Sequence, residues 1–400
     1  MTCLRLTEGT AGDEATFSPE TARRLREDKI ADVTSLGGHR WRVKPLLKVG
    51  AIRFPDLELH IRPKISISRL WFLLGFAYDK VQQGWQEREV TATEHPDLLA
   101  AMAYAFLQGA ANALKHGLPH GYRRESRALP VVRGRIREAD QLRRHHGRLF
   151  PVEVDYQGFT NDVPETQVLR AATERLLALP GVDPKAEARL RDLLARLRQA
   201  SPSRPGVVPR WVPGPANLRY RTVLGLADVI LRGGSLEFGT RPASGSPVVN
   251  GLLVQMDKIF EDFLHRALEQ ILISHGGTWI GNEAVKITTN SSLTIKPDIR
   301  WVARQKTQAV IDAKYSDHTD KARDYRFQVI TYCAALECLQ GHIVYAGGPQ
   351  GSSIVHHRLR GRLAIDLYEH RLDLAAPLSS LRDQIQTIAE LMLANTTTVT

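Results

Sequence analysis

The 400-residue chain has only three cysteines, Cys3, Cys333 and Cys338. That number excludes a disulfide framework, and the gap between the last two lacks the second pair a zinc site needs, so a reduced, cytoplasmic compartment fits. Aromatic residues make up 7% of the chain, too few for an extended platform that stacks single-stranded bases. No Gly-Lys dipeptide occurs anywhere, so the chain has no Walker A loop, and any nucleotide hydrolysis falls to a partner. Long apolar runs are missing too. Leu98 to Leu114 comes nearest, but it is alanine-rich and broken by Gln108, Gly109 and Asn112, which predicts a buried helix and no membrane span. Met1 to Asp28 mixes Arg, Asp, Glu and Thr without an apolar centre, so no secretory signal is expected there. Acid is the scarcer charge: 43 Asp+Glu against 54 Lys+Arg leave a formal +11, a balance that favours polyanionic partners such as nucleic acid.

What is present divides into four stretches. Residues 1–28 form an extension. Residues 29–120 read as a β-rich N-terminal domain: Ile30 to Ile67 carries short apolar runs punctuated by Gly37, Gly38, Gly50, Pro55 and Pro63, and helical segments follow. Residues 121–247 form a basic and helical middle region, with a proline-rich loop at 201–215 and a Gly/Ser/Pro-rich break from Gly233 to Pro247. Residues 248–400 read as an α/β domain. Between Gly121 and Phe150 nine arginines face three acids. That run is either a solvated, salt-bridged surface or a strip in which Arg133, Arg135, Arg137, Arg143, Arg144 and Arg148 contact DNA phosphates or a partner protein. His145 and His146 belong to this strip, with no zinc-like spacing around them. Ser235 follows Gly233-Gly234, but Glu237 stands where a nucleophile elbow needs glycine, so a serine hydrolase is not expected.

The chemistry concentrates after Val248. Apolar residues at helical spacing predict one amphipathic helix over Val249 to Ser274, with Glu261 at the edge of its stripe, where it can face a cleft. Two β-rich segments, Leu293 to Ala303 and Thr307 to Tyr315, flank the triplet Arg304-Gln305-Lys306 and read as a hairpin. If Ala303 pairs with Thr307, counting back sets Asp298 opposite Asp312, with Lys314 on the same face. Two carboxylates so placed repel unless a cation or a proton lies between them. Mg²⁺, an oxygen-seeking ion that keeps several waters, is the expected occupant, with the carbonyl of Ala313 as a further ligand. Lys314 would then orient a water and stabilise developing negative charge. In the helix that follows, roughly Asp320 to Leu339, Asp324, Gln328 and Tyr332 share a face. Gln328 can reach a phosphate or a water, and Tyr332 can position the backbone or a base. His342 to Ala346 should extend the sheet.

Pro297-Asp298 followed by Asp312-Ala313-Lys314 resembles the PD-(D/E)xK nuclease signature, with Glu261 as the helix glutamate that often precedes it. Gln328 to Tyr332 looks like the QxxxY extension of the RecB-like branch. Val49 to Ile65, Val132 to Ile136 and Met256 to Glu261 further resemble McrC, the nuclease subunit of the McrBC modified-cytosine restriction systems that defend against foreign DNA. The resemblance implies a restriction-endonuclease-like core, a mixed sheet flanked by helices, that cuts double-stranded DNA with Mg²⁺ or Mn²⁺ in its place. It also implies an AAA+ GTPase partner of McrB type, contacted and stimulated by the N-terminal region, and a dimer through the nuclease domain. Two other readings stay open: a stand-alone RecB-like DNA-processing nuclease, and a non-catalytic adaptor that activates an NTPase ring.

Overall fold

The computed structural model describes residues 1–78, 98–146, 148–204, 207–212, 214–232, 250–288, 293–316, 321–347, 354–360 and 364–394. These form two compact units, one of residues 1–101 with 241–400 and the other of residues 102–240. The unit boundary falls inside a helix, Leu98–Ala113, the alanine-rich segment expected to be buried. No described helix is long and apolar enough to cross a membrane.

The first unit joins both ends of the sequence through one strand. Asn250–Gln255 pairs antiparallel with Lys48–Arg53, which pairs with Leu57–Arg62. That strand runs parallel to Thr2–Thr7. The expected helix over Val249 to Ser274 therefore starts late: residues 250–255 are strand and the helix is Met256–Leu272. The run Leu252-Leu253-Val254 is apolar at every position and fits a strand buried on both faces as well as a helix, and the open edge of the N-terminal sheet decides it. Gly50 permits the close approach, since at φ +133° a Cβ there would lie 2.1 Å from the Leu252 carbonyl oxygen. Hence residues 29–101, set apart from residues 248–400 by the sequence division, share a unit with them. The Gly/Ser/Pro break before residue 250 lies outside the described residues.

The centre of this unit is a six-stranded mixed sheet in the spatial order Thr278–Gly281, Ile299–Ala303, Lys306–Lys314, Gln340–Gly347, Asp366–Asp373 and Ile354–Arg358. The third, fourth and fifth strands are parallel to one another, and the other pairings are antiparallel. One face carries the helix Ala322–Ala335, shorter than the expected Asp320 to Leu339, with residues 317–320 outside the described set. Val329 and Cys333 of this helix pack with Val310, Ile343 and Leu367. Gly341 makes room for them, because a Cβ there would lie 2.6 Å from Val329 Cγ1. Burying Val329 completely contributes about 2 kcal/mol. On the other face, Phe260 of the 256–272 helix meets Tyr315, and Ile388 of the helix Leu378–Ala394 lies beside His370 and Leu372.

The second unit holds a three-stranded sheet, with Val152–Thr160 between Gly121–Leu129 and the short strand Arg135–Ile136. Its main helices are Pro164–Ala178, Pro184–Arg196 and Arg221–Arg232. Pro184 follows the N-cap Asp183, whose carboxylate accepts from the Lys185 and Ala186 amides.

Candidate active site

The hairpin turn is tighter than the expected triplet. Arg304 and Gln305 alone form the loop, at φ +51° and +63°, as a two-residue turn matched to strand twist requires. Lys306 belongs to the second strand and pairs with Ala303. A bulge at Gln308 then restores the count, so Trp301 pairs with Ala309 and Ile299 with Ile311. One position further, Asp298 faces Asp312, as the simple count gives. The shorter turn and the extra bulge residue cancel.

Asp298 ends the approach to the first hairpin strand, and its Oδ2 accepts from the Ala313 backbone N–H at 2.9 Å. Asp312 is wholly inaccessible to solvent. Among the described residues no well-formed hydrogen bond engages either of its oxygens. Its contacts are the Lys314 ammonium, 2.6 Å from Oδ2, and the neighbouring Asp298 carboxyl. One ammonium thus serves two carboxyls, Asp312 buried and Asp298 half-buried. Burial first, and then the Asp312 charge, pushes the Asp298 pKa up, and burial also raises that of Asp312. Burial works against charge on Lys314, but Asp312 and Asp298 outweigh it and hold that pKa above the usual lysine value. The ammonium also lies 4.9 Å from the Tyr325 ring centroid.

Glu261 is the outlying member. Its carboxylate accepts from Asn282 Nδ2 at 3.1 Å and lies 3.5 Å from Lys258 Nζ. Burial and the Asp298 charge raise its pKa, so it senses the dyad without closing on it. Asn282 also donates its backbone N–H to the Asp298 carbonyl at 2.9 Å, which makes it the brace between the two acids. Nothing in the local sequence marks Asn282, Lys258 or Tyr325, whose roles depend on contacts between elements. Gln328 donates to the Tyr332 hydroxyl at 2.6 Å, and that hydroxyl donates to the Lys296 carbonyl at 3.4 Å. Tyr332 is buried, and both aspartates add to the burial that raises its pKa. Asp324, on the same helix, is exposed.

The chemistry of the residues fits a divalent cation: two adjacent carboxyls, held by one backbone N–H on Asp298 and one ammonium at Asp312, carry a single positive neighbour between them. Among the described residues the tightest triple of donor atoms is elsewhere, at Cys3, Glu58 and His60. There Arg53 reaches Glu58 at 2.7 Å and Arg5 stands opposite His60, so flanking guanidiniums oppose a second cation.

The arginine strip is less naked than its sequence. Asp155 takes Arg124 at 2.7 Å, Asp140 takes Arg143 at 2.7 Å and also Arg137, and Glu153 takes Arg144 at 3.4 Å. Arg133 lies over the Tyr156 ring. Among the described residues no ion pair holds Arg135 or Arg148.

The family of McrBC 5-methylcytosine restriction system components matches residues 43–346. The chain belongs to this family. No curated protein sequence matches it. A solved structure described as a refined half-complex from a tetradecameric assembly of Thermococcus gammatolerans McrB AAA+ hexamers with bound McrC aligns over 97% of this chain and 100% of its own, with a TM-score of 0.59 at 17% identity. The cryo-EM structure of the Thermococcus gammatolerans McrBC complex aligns over 68% of this chain and 88% of its own, at a TM-score of 0.46 and 16% identity. The McrBC match spans both the strand 48–53 and the hairpin with Asp298 and Asp312, so the mixed α/β fold and the acidic site lie in one family unit.

Proposed function

We propose that this McrBC family member is the DNA-cutting subunit of a modified-cytosine restriction system, a Mg²⁺-dependent endonuclease of PD-(D/E)xK type working with an AAA+ GTPase ring. The observation that carries the reading is the buried Asp298–Asp312 pair with a single ammonium for two carboxyls. A fold kept for packing alone gains nothing from such a pair, which costs stability unless a cation joins it.

Asp298, Asp312 and the Ala313 carbonyl would hold Mg²⁺, with Glu261 in support, and the ion when bound neutralises phosphate charge and acidifies a water. The chain's own groups do the rest. Lys314, fixed by Asp312 and the Tyr325 ring, places a positive charge where negative charge develops on the phosphate. The Gln328 amide, steadied by the Tyr332 hydroxyl, is long enough to orient a phosphate oxygen or a water. The Asn282 bridge keeps Glu261 at the edge of the pair. The ring partner would supply the nucleotide hydrolysis that this chain has no loop for, and residues 1–245 would contact it.

The test is cleavage of methylated duplex DNA with Mg²⁺, the ring protein and GTP. Asp298→Ala, Asp312→Ala and Lys314→Ala should each lower cutting by at least about a thousandfold, as expected when a main electrostatic element is lost, while still stimulating GTP hydrolysis by the ring. Full cutting by Asp312→Ala sinks the nuclease assignment. Loss of stimulation in step with cutting, at normal thermal stability, sinks the separation of roles.

A further inference from the structure

Lys314 sits at a poorly held strand end. Pairing with the first hairpin strand stops at Ile311, and pairing with the 340–347 strand stops at Lys314 itself, opposite Tyr345. The next residue, Tyr315, is nonetheless one of the most deeply buried side chains, at 2% exposure. Its hydroxyl donates to Glu8 Oε1 at 2.8 Å. Glu8 is itself buried at 3% and lies one residue past the first strand, its backbone N–H on the Arg62 carbonyl. The same Oε1 accepts the Lys64 backbone N–H at 2.8 Å, and the Lys64 ammonium stands 4.4 Å from the Tyr315 ring centroid. The Tyr315 ring also meets that of Phe260, the residue directly before Glu261, at 6.0 Å between centroids.

We propose that Glu8 and Tyr315 are positioning residues for Lys314, a buried hydrogen-bonded link by which the N-terminal sheet holds the end of the catalytic strand in register. The inference rests on the nuclease reading and adds to it a part played by residues 307 positions apart in sequence. A carboxylate and a phenol placed together in the interior cost more than an apolar pair of similar size, and among the described residues Glu8 Oε2 has no hydrogen-bond partner. What the link provides is geometry. It fixes the backbone one bond beyond Lys314, where no β-ladder does so, and groups must be held within about half an ångström to act on a transition state.

The test uses the full chain with its ring protein, GTP, Mg²⁺ and methylated DNA. Tyr315→Phe should lower kcat about tenfold, the equivalent of about 1.4 kcal/mol, with KM for DNA and the half-saturating Mg²⁺ concentration within twofold of wild type. Glu8→Ala should do the same, the double variant should be no worse than either single one, and Glu8→Gln, which still accepts from the phenol, should recover most of the rate. Acetylation of Lys314 by acetic anhydride, followed by mass spectrometry in the absence of DNA, should speed up in Tyr315→Phe and in Glu8→Ala. Wild-type cutting by Tyr315→Phe overturns the proposal. So do additive losses that track thermal stability with Lys314 labelling unchanged, which would make the link a structural rivet. If the wild-type protein does not cut, or Asp312→Ala cuts normally, the nuclease reading itself falls and this inference with it.

Discussion

Two of the charge clusters among the described residues are built on opposite rules. On the three-stranded sheet of the second unit and the helix Glu138–His145, acids and arginines are matched: Glu153, Asp155 and Asp140 each take more than one cationic neighbour. At the hairpin of the first unit, Asp298 and Asp312 share Lys314, and the more buried acid has no well-formed hydrogen bond. Two unit charges about 4 Å apart interact by about 4 kcal/mol at an effective dielectric of about 20, so a missing partner is a large cost. A matched cluster can be explained by folding alone, whereas the unmatched one is where the proposed cation would act. Net charge from sequence is a poor guide here, because much of the conspicuous arginine run is paired with Asp140, Glu153 and Asp155.

The sharpest way to break this comparison is to remove the unmatched acid. Asp312→Asn should abolish cutting and yet raise the stability of the metal-free protein, by roughly 1–3 kcal/mol, because it ends a buried repulsion while keeping the shape. Denaturant unfolding in chelator checks it, and a loss of stability would show that Asp312 is a structural acid after all.

The mirror-image experiment acts on the matched cluster. Glu153 is 2% exposed, and its carboxylate meets Arg144, Arg137 and His145, while its backbone N–H donates to Gln141. Glu153→Ala should destabilise the second unit by about 3 kcal/mol, since several cations are left around an empty place. Cleavage chemistry at the hairpin should persist at temperatures where that unit stays folded. A neutral result in thermal unfolding would put Glu153 with the functional acids.

A third contrast lies across the six-stranded sheet. On the face away from Lys314, His342 Nδ1 and His370 Nε2 lie 3.0 Å apart, both buried. Burial lowers the pKa of each, that of His370 to about 4, and His370 lowers His342 further. Depressed histidine values mean that stability is intact above the unfolded value of about 6.5 and is lost as pH falls toward 4. For His370 alone the loss is on the order of 3 kcal/mol. Stability measured from pH 7 to pH 4 should therefore fall steeply, and His370→Phe should flatten the slope. An unchanged slope would remove the pair as its cause.

How far the sequence reaches depends on the range of the forces involved. The pairing of Asp298 with Asp312 is legible because strand alternation is local and the turn and bulge errors cancel. The helix carrying Gln328 and Tyr332 is legible from spacing. Residues 250–255 read wrongly as helix because an apolar run fits helix and strand alike, and the N-terminal sheet edge that settles it lies about 200 residues away in the chain. Asn282, Tyr325 and the Glu8–Tyr315 link depend on tertiary contacts that no pattern within one segment records.

The smallest expected effect concerns the arginines that remain least engaged. Arg143 pairs with Asp140 at 2.7 Å, Arg144 reaches Glu153 at 3.4 Å, and Arg148 is exposed. A surface pair such as Arg143–Asp140 contributes about 0–1 kcal/mol, and Glu153 keeps Arg137 and His145 when Arg144 is removed, so replacing Arg143, Arg144 and Arg148 with Ala should cost little thermal stability. The outcome then reports on partners. If the strip meets an acidic face of the ring protein, association with the ring weakens several-fold, while DNA affinity and its dependence on salt stay as in wild type. If it meets phosphates, the slope of log affinity against log salt becomes shallower by close to one for each phosphate that no arginine neutralises any longer. The ring is the expected target, because the run from Arg133 to Arg135 lies in a different unit from the hairpin with Asp298 and Asp312. A large drop in DNA affinity with unchanged ring binding would reverse that assignment and make the second unit a DNA-binding module.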